Sequence, residues 1–423
     1  MAAVVLVAML IGAAPPVLTE DEAVATALTR SRDLVAAKLN IDAAEVDRVI
    51  AGILPNPVAS YGLANLVVPP GNPQNAGSSQ PAVNPGFFDQ PIHTVSISQV
   101  IDIWFKRSKR REAADRGLEG AQLMVMQVER EVSWAVKTAF ADALRAHEQR
   151  ALAQEARERY DDTVRLSASR LKVGDISETD YKKIELELMR YKAAEIQAKL
   201  QSDLARQRLA ALMTLPLAEL PEALEPTARR SDQTLDLQAV ISQANETRPD
   251  LQATLKSVER AKAVLASQRR EAYPDISLSV AYSHDNFVVS GDNPNTFAVG
   301  ISLPLPIFDR NQGGVGHAEV DLRTSENERE RLLFTIATEV ADAVKRSENA
   351  LVQLKLLTDD VAPRAAQALK VAEKSYQAGA VSLLELLEAQ RTYVEVRQAE
   401  VDATLQYRQA VIDLVHAVGG TPK

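Results

Sequence analysis

The stretch Pro274-Asp275-Ile276-Ser277-Leu278-Ser279-Val280-Ala281-Tyr282-Ser283 alternates residue by residue. Ile276, Leu278, Val280 and Tyr282 fall on one face of an extended chain, and Ser277, Ser279, Ala281 and Ser283 on the other. The pattern predicts a strand over about 274–289. A partner over about 295–308 sets Phe297, Val299, Ile301 and Leu303 against Thr296, Ala298, Gly300 and Ser302. A third strand, about 92–105, sets Val95, Ile97, Ile101 and Ile103 against Thr94, Ser96 and Ser98, and a fourth, about 58–68, is less regular. The polar faces are small, hydroxylated and nearly uncharged, whereas a soluble sheet usually turns Lys and Glu to water. This suits strands that cross a bilayer, apolar to lipid and polar to water, and each run reaches the ~9–11 residues that a tilted crossing needs. A sheet packed on a helical layer is the alternative. Four strands cannot close a barrel, and lipid does not tolerate open edges, so membrane strands here require oligomerisation; three copies give twelve.

Around the strands the chain repeats itself. Arg32-Asp33-Leu34 recurs as Arg248-Pro249-Asp250-Leu251, and Leu54-Pro55-Asn56 as Tyr273-Pro274-Asp275. Val95-Ser96-Ile97-Ser98 recurs as Val299-Gly300-Ile301-Ser302, and Lys172-Val173-Gly174-Asp175-Ile176-Ser177 as Gln377-Ala378-Gly379-Ala380-Val381-Ser382. The last two matches share nearly one offset, so the register holds over a long segment. Each half reads helix, strand, strand, very long helix, turn, helix. The first repeat covers 15–213, a proline-bearing linker 214–234, the second repeat 235–418, and 419–423 is a tail.

In the first half a helix is expected over about 21–52, stopped by Pro55, and 69–86 reads as a loop. From Lys106 to about Lys172 there is no proline. Val125, Val128, Val132, Ala135, Ala139, Ala143 and Ala146 form a heptad-like seam of small residues. Roughly 65 helical residues span about 100 Å, too long for the inside of one globule. Gly174 breaks the helix, Ser177 with Asp180 signals the next start, and that helix runs to about Met213. Helices over about 235–272, 312–378 and 382–418 follow, with a bend at Pro363.

Composition excludes several functions. The chain has 423 residues, 4% aromatics and a net charge of −9, which speaks against nucleic acid as a partner. Without cysteine there is no disulfide, zinc-thiolate site or thiol catalysis. The five histidines are scattered; His317 near Glu319 reads as helix surface, and Met124 and Met126 cannot share a face. No metal site, cofactor or enzymatic constellation is expected. Residues 1–14 read as the apolar core of a secretory signal with Gly12-Ala13-Ala14 as cleavage signature, although no positive charge precedes it and Pro15 follows. No later run of about 18 apolar residues encodes a transmembrane helix.

The duplicated helix–hairpin–helix order, Arg248-Pro249-Asp250-Leu251, and the run Gly379-x-x-Ser382-x-x-Glu385-Leu386-Leu387-Glu388-Ala389-Gln390 resemble the TolC-like outer-membrane efflux channel family. Leu303-Pro304-Leu305-Pro306-Ile307-Phe308-Asp309-Arg310-Asn311-Gln312-Gly313 is most like its heavy-metal (cobalt–zinc–cadmium) branch. The resemblance implies a mainly α fold with a small transmembrane β part: a homotrimer whose 12-stranded barrel sits in outer-membrane lipid on a periplasmic α-helical tunnel. It implies a periplasmic adaptor and an inner-membrane pump as partners, and a passive duct, for heavy-metal cations or, alternatively, for drugs and organic solutes. A soluble coiled-coil scaffold is the reading from a different class, and it leaves the strands unexplained.

The resemblance also assigns candidate residues. Val173, Gly174 and Asp175, with Ala378, Gly379 and Ala380, are the adaptor-contacting tip turns; Ala378 departs from the valine expected there. Glu385 and Glu388, three apart on one helix face, would form an acidic ring around the aperture in a trimer. Asp180 and Tyr376 match positions that latch the tip, although Ala380-Val381 is apolar where a basic residue often assists.

Overall fold

The computed structural model describes residues 17–64, 92–225, 235–286 and 292–422; the signal-like segment, the loop at 69–86 and most of the linker lie outside them. The elements follow the duplicated order. The first repeat comprises β1 (Val17–Thr19), α1 (Glu20–Arg30), α2 (Arg32–Gly52), β2 (Val58–Ala64), β3 (Ile92–Ile101), α3 (Lys106–Val173) and α4 (Glu178–Leu212). After β4 (Ala223–Glu225) come α5 (Leu237–Thr247), α6 (Pro249–Glu271), β5 (Ile276–Asp285), β6 (Asn295–Ser302), α7 (Gln312–Leu356), α8 (Ala362–Gln377) and α9 (Leu383–Val418).

Several expected bounds are corrected. The helix expected over 21–52 is two helices, because Ser31 is extended (ψ 125°) and its hydroxyl caps Leu34 N. The helix expected over 235–272 also divides, at Arg248, since the residue before Pro249 is driven out of the helical region. At Pro363 the ring removes a donor, and the preceding Leu357–Val361 widen to a π-turn. The linker is partly structured, since β4 pairs in parallel with β1, Val17 to Ala223 and Thr19 to Glu225. Strands of three residues carry no alternation to read.

The four long strands form one antiparallel sheet ordered β2-β3-β5-β6. The strands end earlier than expected: β3 stops at Ile101, and Asp102 turns instead to cap α3, accepting from Lys106 N at 2.9 Å and Arg107 N at 2.8 Å. β6 stops at Ser302 before the two prolines. Residues 65–68 and 287–289 lie outside the described residues.

The chain divides into two compact units that do not coincide with the repeats. One is built from segments within Met1–Asn40, Gln122–Ala253 and Arg329–Lys423, the other from segments within Ile41–Ala121 and Thr254–Glu328. The first unit has matching cores. Ala23 and Ala27 of α1 meet Val136, Phe140 and Ala143 of α3 and Leu209 of α4. Val240 and Ala244 of α5 meet Ile336, Val340 and Val344 of α7 and Leu414 and Val418 of α9. Leu209 and Val340 are fully buried, so truncating either costs about 2–5 kcal/mol or slightly less for the valine. Of the expected seam, Val125, Ala143 and Ala146 are buried, but between them the deepest positions are Val136 and Phe140, one residue past Ala135 and Ala139.

Candidate functional site

Two turns link the long helices of the first unit, and they are near copies. Gly174 and Gly379 hold φ of 82° and 75°, a region that disfavours any side chain. At the first turn Gly174 N donates to Leu171 O and Asp175 N to Arg170 O; at the second Gly379 N donates to Tyr376 O and Ala380 N to Ser375 O. These paired bonds close each helix end. Ser177 and Ser382 then cap the next helices, accepting from Asp180 N at 3.1 Å and Glu385 N at 3.4 Å. Val173, Gly174, Asp175, Ala378, Gly379 and Ala380 are all exposed, so the turn backbone is open to approach.

The side chains beneath are less alike. Tyr376 is buried, and the Arg170 guanidinium lies 4.3 Å from its ring centre. Arg170 also donates to Tyr376 O at 2.8 Å, joining the end of α3 to the end of α8. Asp180 accepts from Ser177 Oγ at 2.8 Å and Lys183 Nζ at 3.2 Å. The Ser177 bond, then the Lys183 one, holds the Asp180 carboxyl below its ordinary range. Asp180 and Tyr376 are not hydrogen-bonded to each other, and the Tyr376 hydroxyl is buried without a partner among the described residues. Arg170 is the joining residue that the sequence did not single out, being 206 positions from Tyr376. Farther along, Arg159 bonds Glu373 at 3.2 Å and lies over the Tyr393 ring, and Gln390 donates to Thr163 at 3.1 Å.

Glu385 and Glu388 are exposed, and neither forms a salt bridge among the described residues. Glu178 and Asp180, the corresponding first acids of α4, pair with Lys182 at 2.7 Å and Lys183 at 3.2 Å.

The Arg248-Pro249-Asp250-Leu251 motif has a structural role. Arg248, 4% exposed, donates to Asp250 at 3.0 and 2.6 Å, to Glu339 at 2.6 Å and to Ala417 O at 3.2 Å. Burial would raise the Asp250 carboxyl, but the Arg248 bonds outweigh it and hold it below the usual value. Arg130 of α3 donates to His416 O at 2.6 Å. Burial, then the charge of Arg130, pushes the His416 imidazole down. The motif thus ties α5, α6 and α7 to the last turn of α9.

In the second unit the sheet has two chemically distinct faces. Tyr61, Val95, Tyr282 and Phe297 form one cross-strand row; Ala59, Ile97, Val280 and Val299 form the next. Among the described residues nothing covers this face, and Phe297 and Val299 are 79% and 73% exposed. The opposite rows, Ser60-Ser96-Ala281-Ala298 and Gly62-Thr94-Ser283-Thr296, satisfy themselves laterally. The Ser60 and Ser96 hydroxyls are 2.7 Å apart, and Thr94 and Ser283 2.9 Å. Aromatic residues lie toward both ends of the sheet: Tyr282 beside Phe297 toward one, and Trp104 stacked on Tyr273 at 4.9 Å beyond the other.

Among the described residues no group of three or more His, Asp or Glu side chains could hold a metal ion. His317 is exposed, and Glu319 is bonded by Arg269 at 3.0 Å. Among the described residues no helix is long and apolar enough to cross a membrane.

Residues 23–214 and 240–420 match the family model described as outer membrane efflux protein. The chain is 28% identical over 331 residues to the cobalt-zinc-cadmium resistance protein CzcC of Cupriavidus metallidurans, covering 77% of each. It is 26% identical to the pyoverdine export outer membrane protein OpmQ of Pseudomonas putida, covering 95% of this chain and 85% of that one. The outer membrane protein VceC of Vibrio cholerae shares the fold, with a TM-score of 0.76 at 20% identity over 96% of this chain and 97% of that one.

Proposed function

The chain belongs to the outer membrane efflux protein family, and on that premise we propose that it is the outer-membrane duct of a tripartite exporter. The observation that carries this reading is the uncovered aliphatic face of the β2-β3-β5-β6 sheet, backed by a face of Ser, Thr, Ala and Gly. In water that face is a liability; in lipid it is the required surface. The edge strands β2 and β6 each offer unpaired backbone groups, which lipid would leave unsatisfied. β2 of one copy closes on β6 of the next, and three copies complete twelve strands. The α-helices then form the periplasmic tunnel, and substrate passes without covalent chemistry.

The turns at Gly174 and Gly379 are the end that meets the adaptor, where glycine lets another backbone approach closely. Threefold symmetry gathers the unpaired Glu385 and Glu388 into six carboxylates around the aperture, favouring cations. For the latch, Arg170 over Tyr376 is the intrachain tie, while Asp180 and the Tyr376 hydroxyl pair only after Tyr376 leaves its buried position. The cargo is heavy-metal cations, supported by likeness to a cobalt-zinc-cadmium resistance protein and by the acidic pair. A duct for organic solutes is the second reading, favoured by likeness to a pyoverdine exporter.

Native mass of material extracted gently from outer membranes tests the assembly: a trimer is expected, and a soluble monomer overturns the duct. Sensitivity of a deletion strain to cobalt, zinc and cadmium against organic toxicants separates the cargo readings. Crosslinking of the tip to its adaptor weakens in Asp175→Lys; an unchanged yield argues against docking there.

A further inference from the structure

At both places where a strand hands over to a long helix, the sequence gives Phe-x-Arg: Phe105-Lys106-Arg107 after β3 and Phe308-Asp309-Arg310 after β6. The two phenyl groups are 68% and 90% exposed, and Leu305 and Ile307 beside Phe308 are exposed too. Both junctions are held firmly by α6. Arg270 donates to the carbonyls of Trp104 and Phe105 at 3.1 Å each, and Trp104 Nε1 donates to Pro274 O at 3.0 Å. Asn311 Nδ2 donates to Gln268 O at 2.8 Å. Phe105 and Asn311 keep left-handed backbones, φ 56° and 57°. Large apolar rings are therefore presented to the surroundings on a fixed backbone.

Five of the six residues Lys106–Arg111 are cationic, and the first turn of α3 contains no acid. This opposes the helix dipole, so the charges do not serve the helix. Nor do they bind through its amides, because Asp102 already occupies Lys106 N and Arg107 N. Lys106 is buried against Asp275 at 2.9 Å and Glu271 at 3.3 Å, and Lys109 pairs with Glu112 at 2.6 Å. Arg107, Arg110, Arg111 and Arg310 are exposed and form no salt bridge among the described residues. An open groove of about 1030 Å³ runs beside Pro55, Gln99, Phe105, Arg107 and Arg111. The acids farther along it are occupied: Asp115 by Arg48 at 2.5 Å, and Glu119 by Arg116 and Lys256 at 3.0 Å each.

We propose that Arg107, Arg110, Arg111 and Arg310, with Phe105 and Phe308, form a collar that binds the phosphates of anionic phospholipids in the leaflet at the helix end of the strands. The collar rests on the reading of the sheet as membrane-spanning. Guanidinium forks match phosphate oxygens in pairs, aromatic rings settle at the headgroup level, and clustered cations select anionic lipid.

The test uses the full chain reconstituted in phosphatidylcholine vesicles with and without phosphatidylglycerol. Retained lipid is counted by native mass, and thermal stability is read alongside. Wild type retains phosphatidylglycerol over phosphatidylcholine and is stabilised by it. The preference falls about five-fold for each arginine removed in the series Arg107→Gln, Arg110→Gln, Arg111→Gln, and the lysine series keeps part of it. Equal retention of the two lipids, or an unchanged preference in the triple glutamine variant, overturns the collar alone. Preference for lipid A over phosphatidylglycerol in competition overturns the leaflet assignment and the collar with it. Failure of wild type to enter even phosphatidylcholine vesicles overturns the membrane reading itself.

Discussion

The first acids after the Gly174 turn, Glu178 and Asp180, each sit against a lysine, while the first acids after the Gly379 turn, Glu385 and Glu388, form no salt bridge among the described residues. The backbones of the two turns are otherwise near copies, down to the serine cap and the closing bonds. The two turns therefore share the bend and differ in the charge. A bend is dictated by a few backbone angles that only glycine satisfies cheaply, whereas a surface carboxylate is free to be neutralised on one copy and left bare on the other. The two turns differ in charge pairing, not in backbone shape.

The largest test of this contrast concerns Arg170, which belongs to the first turn but stacks on the second. Removing it in Arg170→Ala forfeits a cation–π contact and charge-assisted bonds, together about 3 kcal/mol. Hydrogen exchange over 372–380 should then accelerate about a hundred-fold, with Arg170→Lys intermediate. Unchanged exchange would show that the two turns are independent. Next, neutralising the bare pair in Glu385→Gln/Glu388→Gln should lower the cation-to-anion permeability ratio in planar bilayers about ten-fold, while Glu178→Gln leaves it nearly unchanged. Equal effects from both turns would erase the distinction between them.

Smaller effects test the shared backbone. Gly174→Ala and Gly379→Ala should each cost about 1 kcal/mol of local stability, and similar losses by hydrogen exchange would confirm equivalence. The caps should differ slightly. Ser177→Ala removes a bond to the Asp180 carboxylate as well as to its amide, so it should exceed Ser382→Ala within a range of about 0.5–1 kcal/mol. Acid sharpens this last point. Because the Asp180 carboxyl is held below its ordinary 3.8, its stabilising contribution is complete above that value and fades as pH falls further. Asp180→Asn should remove that dependence from exchange at residues 177–184.

Some of this was legible in the sequence for physical reasons. The alternation in 276–283 reports the two faces of the sheet directly, because a strand's period is two and lipid or water must lie on each side. The turns were legible because glycine and serine are local requirements. The break at Ser31 was not, since serine is tolerated inside a helix and only its bond to Leu34 N reveals the cap. On α3 the seam residues Val132 and Ala139 do pack on the core, but Val136 and Phe140 beside them lie deeper, because an alanine-rich helix satisfies several heptad frames at once. Arg170 on Tyr376 and Arg130 on His416 join residues more than two hundred positions apart, and no periodicity carries such pairs.

The matching cores have a kinetic consequence. Val240 and Ala244, early in the second repeat, are buried against Leu414 and Val418 at its far end, and Ala23 and Ala27 meet Leu209 in the same way in the first. Such distant partners give a high contact order, so each nucleus forms only after a long loop has closed. Until residues near 209 and 418 have been delivered, neither repeat can complete its core. Part of each apolar stripe therefore stays exposed until the far end of its repeat arrives.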